Sequence, residues 1–276
     1  MLRALGWLST RIYSKLIFIG VFLVIVCLGY LVTQSNSTGE LSRKPLPITG
    51  KRKPEPPARP NKDESISRNA SVRTISDVRR WANVKSYDPR WSKRARAAID
   101  KLHTYFQHRN DEKLWESRLV LLDVGSGPYL PSKEFLPPTA EYIPCDLVRR
   151  GDSDCVLDLN LREGQRGVTN LEGDTPISIA EVRQKYGKSV HAISMLGVME
   201  YVVDVPNLFS ELRLFNVPLV LSYSNIDLPQ FSNFTKRRRF GWQNHLNTSM
   251  MWRTFREAHF SCWPDCLPFI NVLFPD

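Results

Sequence analysis

The second half of the chain alternates short apolar runs with segments whose apolar residues recur every three or four positions. The short runs predict buried β-strands, and the longer period predicts amphipathic α-helices. The runs predict strands at residues 119–124, 141–145, 155–159, 190–196, 218–223, 260–267 and 269–274. The periodic segments predict helices at residues 90–106, 177–186, 205–215 and 246–259. This alternation predicts an α/β fold, with a mostly parallel sheet and helices on both faces.

An uncharged apolar segment at residues 16–32 precedes this pattern. Its length and the lack of a small-residue cleavage site favour a transmembrane signal anchor over a cleaved signal peptide. Arg3, Arg11 and Lys15 precede the segment. The positive-inside tendency therefore predicts a cytosolic tail at residues 1–15 and places the rest of the chain across the membrane.

Residues 33–75 are rich in Pro, Ser, Lys and Arg and nearly free of aromatic side chains. Such a composition cannot form a core and predicts a flexible stem. Order is expected to resume near Ser76, where a capped helix start is predicted. Residues 76–276 then form one folded domain of about 200 residues, which is enough for a single core.

The formal net charge is +10. Much of the excess lies in the proline-rich segment and at residues 236–239, and no nucleic-acid-binding motif accompanies it. We therefore expect no nucleic acid partner. Residues 236–239 are predicted to be solvated surface, or to meet an acidic acceptor.

Asn-x-Ser/Thr triplets and cysteines are both compatible with a lumenal domain. The triplets occur at Asn36, Asn69, Asn233 and Asn247. The cysteines after the apolar segment are even in number, which permits disulfides without demanding them. We expect Cys145 to be a small core residue, whereas Cys262 and Cys266 are close enough to bridge locally. No Cys or His spacing matches a zinc site, so no metal site is predicted.

The end of the first predicted strand and the loop after it have the sequence Leu-Leu-Asp-Val-Gly-Ser-Gly, at residues 121–127. Gly125 and Gly127 lack a Cβ, so the backbone can turn sharply there and approach a ligand closely. Asp146 ends the second strand about 20 residues further on, where a carboxylate can reach ribose hydroxyls. The pattern indicates a nucleoside-bearing cofactor.

Three further motifs sharpen this interpretation: Cys-Asp-Leu at 145–147, Val-Leu-Asp-Leu-Asn at 156–160 and Ile-Ser-Met-Leu-Gly-Val-Met-Glu-Tyr-Val at 193–202. As a set they resemble class I S-adenosylmethionine-dependent methyltransferases over about residues 115–276. The resemblance implies a Rossmann-like sheet with the S-adenosylmethionine pocket at the carboxyl ends of its strands. Residues 239–246, Arg-Phe-Gly-Trp-Gln-Asn-His-Leu, also resemble a stretch of some uncharacterised members.

The resemblance assigns roles to the acids that end the strands. Asp123 would anchor the glycine loop or meet the ammonium group of the cofactor. Asp146 would accept hydrogen bonds from the ribose hydroxyls, and Asp158 would accept one from the adenine amine. The chain departs from the family pattern at Tyr129, where a third glycine is common. Pro131 also requires the following helix to be short or displaced.

His245 is the predicted general base, because it follows the fifth strand, where such folds place acceptor-site residues. Glu200 is a second predicted catalytic residue, since it follows the fourth strand with Tyr201 at the expected mouth of the cleft. Either of these two neighbours would orient the acceptor or the cofactor. Trp242 and Trp252 are candidates for stacking on a sugar ring, although tryptophans at such positions are more often core residues.

The anchor, stem and methyltransferase-like domain together predict a single-pass type II membrane protein of the Golgi or ER. Its expected activity is O-methylation of a glycan hydroxyl or another lumenal acceptor, and the glycan part rests on the layout alone. Two alternatives remain. In the first, the protein is a metal-dependent Golgi glycosyltransferase, because Asp152 and Asp154 match the Asp-x-Asp metal motif of that class. In the second, the altered glycine loop indicates a binding protein with a methyltransferase fold and no catalytic activity.

Overall fold

The computed structural model describes residues 86–149, 155–167, 169 and 173–276. The predicted tail, anchor and stem, and the helix start at Ser76, lie outside these residues and stay predictions. No helix within the described ranges is long and apolar enough to cross a membrane.

The described residues form a sheet of seven strands in the order β3-β2-β1-β4-β5-β7-β6. The strands are β1 Val120–Val124, β2 Glu141–Asp146, β3 Cys155–Val156, β4 Ala192–Leu196, β5 Leu219–Ser222, β6 Phe260–Trp263 and β7 Ile270–Pro275. Strands β1 to β5 pair in parallel, and β7 is antiparallel to both of its neighbours. The strand order reverses between β1 and β4, as in doubly wound sheets. The predicted fold class, a Rossmann-like α/β sheet that is mostly parallel with helices on both faces, is confirmed.

Helices cover both faces of the sheet in the described part of the chain. They are α1 Pro89–His108, α2 Glu112–Arg118, α3 Ile179–Tyr186, α4 Val205–Arg213, α5 Phe234–Arg239 and α6 Thr248–Glu257. In β1, Val120, Leu122 and Val124 pack on one face into a core shared with α3, α4 and α6. Leu121 points to the other face, into a core shared with α1 and α2. Burial on both faces explains why β1 has apolar residues at consecutive positions rather than at alternate ones.

Side-chain caps fix the starts of two helices that begin slightly later than predicted. Ser178 and Glu181 form a capping box, so α3 begins directly after Ser178. The side chain of Asn247 accepts a hydrogen bond from the amide of Met250, so α6 begins directly after Asn247. Both caps satisfy amide groups that the first helical turn would leave unpaired.

Other elements differ from the prediction. Strand β3 ends at Val156, and Leu157 makes only an isolated bridge with Ile177 before the chain leaves the sheet. Helices α2 and α5 were not predicted. They span seven and six residues, which is too short for a helical period to be recognised in a sequence.

Two disulfides occur among the described residues. Cys145 bonds to Cys155, its direct partner in the β2–β3 pairing, with 4.8 Å between the Cα atoms. The expectation that Cys145 is only a core residue is therefore wrong, although both cysteines are buried. Cys262 bonds to Cys266, which confirms the predicted local bridge.

Candidate active site

A cleft opens beside the reversal point of the sheet, where open α/β sheets bind their ligands. This first cleft has an empty volume of about 1110 Å³, including the part open to solvent. Its walls are α1 (Trp91 and Arg94), the end of β1 and its loop (residues 123, 125–129, 131 and 132), the ends of β2 and β3 (residues 146–147 and 157–160), and the turn after β4 (residues 196–198, 201 and 202).

The loop after β1 is fixed to the end of β2 by hydrogen bonds. The amides of Gly125 and Ser126 donate to the carbonyl of Cys145 over 2.7 and 3.2 Å. The amide of Gly127 donates to Oδ2 of Asp146 over 2.9 Å. Gly125 and Gly127 have φ of 73° and 69°, a left-handed conformation that favours glycine. Both predicted loop glycines therefore line the cleft in a conformation that explains their identity.

The two glycines have different surroundings. A Cβ on Gly125 would lie 2.1 Å from Cγ2 of Val198 in the turn after β4, whereas a Cβ on Gly127 would have no atom within 4 Å. Gly125 is thus required for close packing of two loops. Gly127 keeps space free in the cleft itself.

Asp146 and Asp158 both line the first cleft, as predicted. Oδ1 of Asp146 accepts from the amide of Leu147 over 2.6 Å, and Oδ1 of Asp158 accepts from the amide of Asn160 over 2.9 Å. The backbone therefore holds each of the two carboxylates in position in the wall of the cleft.

Asp123 lies at the floor of the same cleft and is only 2% exposed. Its Oδ2 accepts a hydrogen bond from the hydroxyl of Tyr142 over 2.5 Å. Burial raises the pKa of Asp123, and the hydrogen bond from Tyr142 opposes that shift. The three predicted cofactor-binding acids are thus brought together in one cleft.

Arg94 also lines this cleft, and sequence reasoning missed it. Its guanidinium lies against Gly197, where an added Cβ would be 2.5 Å from Nη1. Its buried Nε has no hydrogen-bond partner among the described residues. Burial lowers the pKa of Arg94, and the charge of Glu200 opposes that shift. The sequence did contain a signal for Arg94. It precedes Ala98 and Leu102 at four-residue spacing, so it lies on the face of α1 that these core residues turn towards the sheet.

The charged residues in the lining of the first cleft are mostly acidic. Asp123, Asp146 and Asp158 supply three carboxyl groups, and Arg94 supplies one guanidinium. No other Asp, Glu, Lys or Arg of the described ranges contributes to this lining. The cleft therefore suits a ligand with more positive than negative charge.

A second cleft adjoins the first and shares with it Trp91, Arg94, Gly197 and Tyr201. Its empty volume, again including open solvent, is about 1550 Å³. Its walls are α1 (residues 88, 90, 91, 93, 94 and 97), the turn after β4 (197, 200 and 201), the segment after β5 (224, 230, 231, 233, 236, 237, 240 and 242) and the start of the β7 region (269 and 270). A ligand in the second cleft would therefore lie beside a ligand in the first cleft, next to the shared residues.

Glu200, one of the two predicted catalytic residues, lies in the wall of the second cleft and is 1% exposed. Its Oε1 accepts a hydrogen bond from the amide of Ser224 over 2.8 Å. Its Oε2 is buried without a hydrogen-bond partner among the described residues. One oxygen is therefore fixed in place, and the second, buried oxygen would gain from a hydrogen-bond donor.

His245, the other predicted catalytic residue, is not part of either lining. Its Nδ1 accepts a hydrogen bond from Nε of Arg237 over 3.0 Å. Burial lowers the pKa of His245, and the charges of Arg237 and Arg238 lower it further. The structure thus gives this histidine a neutral, accepting role beside Arg237.

Arg237 does not belong to the solvated surface that the sequence predicted for residues 236–239. Its neighbours in α5 are exposed, but Arg237 is 1% exposed. Its guanidinium donates to the hydroxyl of Tyr223 over 3.1 Å, to the carbonyl of Asn244 over 3.2 Å and to the carbonyl of Ser224. It also lies 4.5 Å from the ring centroid of Trp242. Arg237 therefore organises the interior of this segment.

The Gly-Trp-Gln-Asn-His segment holds the turn after β4 in place. Nδ2 of Asn244 donates to the carbonyls of Met199 and Val202 over 2.6 and 2.9 Å. The backbone amide of Gln243 donates to the backbone carbonyl of Glu200 over 2.7 Å. These bonds fix the turn that separates the two clefts, which gives this segment a structural role.

The two tryptophans proposed for sugar stacking lie in different environments. Trp242 lines the second cleft, and its Nε1 donates to the hydroxyl of Tyr201 over 3.2 Å. Trp252 packs against the hydrophobic core and is absent from both linings. A stacking role is therefore open to Trp242.

Tyr129 and Pro131 shape the mouth of the first cleft. Only a short 3₁₀ turn, Lys133–Phe135, follows the loop, which confirms the expectation from Pro131. The ring of Tyr129 lies 5.4 Å from that of Tyr87 and 6.0 Å from that of Trp91. Tyr129 thus belongs to an aromatic cluster that partly covers the cleft.

No family profile and no curated protein sequence matches the chain. Solved structures of methyltransferases do align with it. Magnesium protoporphyrin IX methyltransferase from Synechocystis PCC 6803, with bound SAH, is 13% identical over 78% of this chain and 100% of that chain, with a TM-score of 0.44. The 1,6-didemethyltoxoflavin-N1-methyltransferase of Burkholderia thailandensis is 14% identical over 81% of this chain and 93% of that chain, with a TM-score of 0.39. A putative O-methyltransferase from Nostoc punctiforme PCC 73102 is 12% identical over 74% and 68%, with a TM-score of 0.35. At these identities the likeness concerns the fold alone.

The different surroundings of the loop glycines predict different costs of substitution. Gly125→Ala should lower the free energy of unfolding by about 2–4 kcal/mol, because it adds a clash with Val198 to an unfavourable backbone conformation. Gly127→Ala should cost only the backbone part, about 1–2 kcal/mol. Thermal or denaturant unfolding measures both. Val198→Ala should restore part of the loss in Gly125→Ala, and equal destabilisation by the two glycine substitutions would contradict the described packing.

Proposed function

We propose that the protein is an S-adenosylmethionine-dependent methyltransferase. The observation that carries this proposal is the charge of the first cleft, whose lining contains three carboxyl groups and one guanidinium. S-adenosylmethionine has two positive groups, the sulfonium and the ammonium, and one negative group, its carboxylate. A dinucleotide or a nucleotide sugar has a diphosphate, which this lining would repel.

Individual residues suit the parts of this cofactor. Asp146 and Asp158 would accept hydrogen bonds from the ribose hydroxyls and the adenine amine, and Asp123 would face the ammonium group. Arg94 would pair with the carboxylate, which would also satisfy its buried Nε. The space beside Gly127 allows the backbone to approach the ligand closely.

The proposed acceptor is a hydroxyl group that lies in the second cleft. S-adenosylmethionine, when bound, would supply an electrophilic methyl group to the acceptor oxygen, with its sulfur leaving as a neutral thioether. An alcohol must lose its proton as the new bond forms. Glu200 is the proposed proton acceptor, because its fixed Oε1 and unpartnered Oε2 place a carboxylate in the cleft wall. Arg94, Gly197 and Tyr201 line both clefts and would hold the two reactants side by side.

A glycan acceptor in the lumen of the Golgi or ER completes the proposal. The two disulfides support it, because such bonds persist mainly in oxidising compartments. The apolar segment at residues 16–32 and the Asn-x-Ser/Thr triplets support it as well. Trp242 in the second cleft offers a flat surface for a sugar ring.

Ligand binding tests the cofactor assignment. S-adenosylhomocysteine should raise the melting temperature of the full-length chain, whereas UDP-sugars with Mn²⁺ should not. Asp146→Ala should remove most of this stabilisation, because it removes the proposed ribose contact. Asp152→Ala is the matched control and should leave the stabilisation unchanged. Stabilisation by UDP-sugars alone would instead support a glycosyltransferase, and stabilisation by neither would support a non-catalytic domain.

Substitution of the two candidate bases tests the proton transfer. Glu200→Gln keeps an oxygen for the amide of Ser224 but cannot take a proton, so methyl transfer from labelled cofactor into a membrane glycan fraction should fall about 100-fold or more. S-adenosylhomocysteine affinity should stay within about twofold. His245→Gln keeps an acceptor for Arg237 and should retain most activity. The opposite pattern would assign the base to His245.

Glycosylation of the full-length chain in eukaryotic cells tests the lumenal location. Asn247 is half-buried, and Asn233 is exposed but lines the second cleft, where a glycan would obstruct the proposed acceptor. We therefore expect the triplet at Asn69, in the predicted stem, to be the main site. Asn69→Gln should remove one glycosidase-sensitive mass shift, and Asn233→Gln and Asn247→Gln should change the pattern less. Absence of any glycosidase-sensitive mass, together with protease accessibility of the domain from the cytosol, would contradict a lumenal location.

A further inference from the structure

The second cleft has the opposite charge to the first. Its lining contains Arg90, Lys93, Arg94, Lys236 and Arg237, against Asp88 and Glu200. A cleft with this excess favours an anionic ligand, provided that the cations are not neutralised by their own partners.

Four of these charges have internal partners. Arg90 and Asp88 form an ion pair, with Nη2 and Oδ2 2.6 Å apart. Glu200 and Arg237 both bind the backbone of Ser224. Glu200 accepts a hydrogen bond from its amide, and Arg237 donates one to its carbonyl. These contacts account for four of the charges, so the positive excess of the cleft rests on the three remaining cations.

The remaining cations are Lys93, Lys236 and Arg94. Lys93 and Lys236 are exposed, and neither forms an ion pair with any described residue. Lys93 comes from α1 and Lys236 from α5, so the two ammonium groups belong to different walls of the cleft. Arg94 lies at the junction with the first cleft, where the proposed cofactor would occupy it.

Aromatic side chains form much of the surface around these lysines. They are Trp91, Tyr201, Phe231, Phe240, Trp242 and Phe269. Such a surface packs against the C–H faces of a sugar ring, while the lysines can bind a charged substituent of that ring. A cation–π contact with Arg237 and a hydrogen bond to Tyr201 fix the orientation of Trp242.

We propose that the methyl acceptor is a sugar that carries an anionic substituent, a carboxylate or a sulfate, which Lys93 and Lys236 bind. This inference rests on the proposed function and specifies its substrate class. The positively charged cofactor and the negatively charged acceptor are then directed to adjoining clefts of opposite charge.

Binding of small sugars to the full-length chain with saturating S-adenosylhomocysteine tests the proposal. The probes are a disaccharide with one uronic acid, its carboxyl-reduced neutral counterpart, and a monosulfated form of the neutral disaccharide. At least one anionic disaccharide should bind about tenfold or more tightly than the neutral one, as measured by calorimetry. Comparison of the two anionic probes identifies the preferred group.

The double substitution Lys93→Met with Lys236→Met should abolish this preference without changing S-adenosylhomocysteine affinity. Lys113→Met with Lys188→Met is the matched control, because it removes the same charge from exposed positions outside both linings and should keep the preference. Equal binding of all three probes, no binding of any of them, or an equal loss in the control would overturn the proposal. Failure of the proposed function would appear separately, as absence of S-adenosylhomocysteine binding.

Discussion

The hydrogen bonds between the loop after β1 and the end of β2 are the constraint on which the first cleft depends. Gly125 and Ser126 donate to the carbonyl of Cys145, and Gly127 donates to Asp146. Because Cys145 is also bonded to Cys155, the same point of the sheet fixes the short strand β3. Asp158 follows that strand directly, so a few backbone contacts determine the positions of the loop and of two acids.

Features with local causes could be predicted from the sequence. Apart from Asp123 at the cleft, strand β1 is apolar on both faces because helices cover both of them. Asp123 and Asp146 lie near the ends of paired parallel strands, so their approach to one edge of the sheet follows from the topology. The consequence of Pro131 was equally local, since proline cannot occupy the interior of a helix.

Features that join distant parts of the chain could not be predicted. Arg94 reaches the cleft from a helix that precedes the motifs, and its position depends on how α1 packs on the sheet. The Cys145–Cys155 bond depends on strand register, which a two-residue strand does not reveal. The neutral, accepting role of His245 depends on the burial of Arg237 in α5, a helix too short to recognise.

The buried and the exposed charged residues of the second cleft have different roles. Glu200 and Arg237 bind the same residue, Ser224, so truncation of either side chain would leave a buried backbone group of Ser224 without its partner, which is destabilising. This pair sets the shape of the wall and cannot change freely. Lys93 and Lys236 are exposed, and substitution of such residues usually alters stability by about 0.5 kcal/mol or less. Recognition of an acceptor can therefore change through the two lysines while the buried pair preserves the fold.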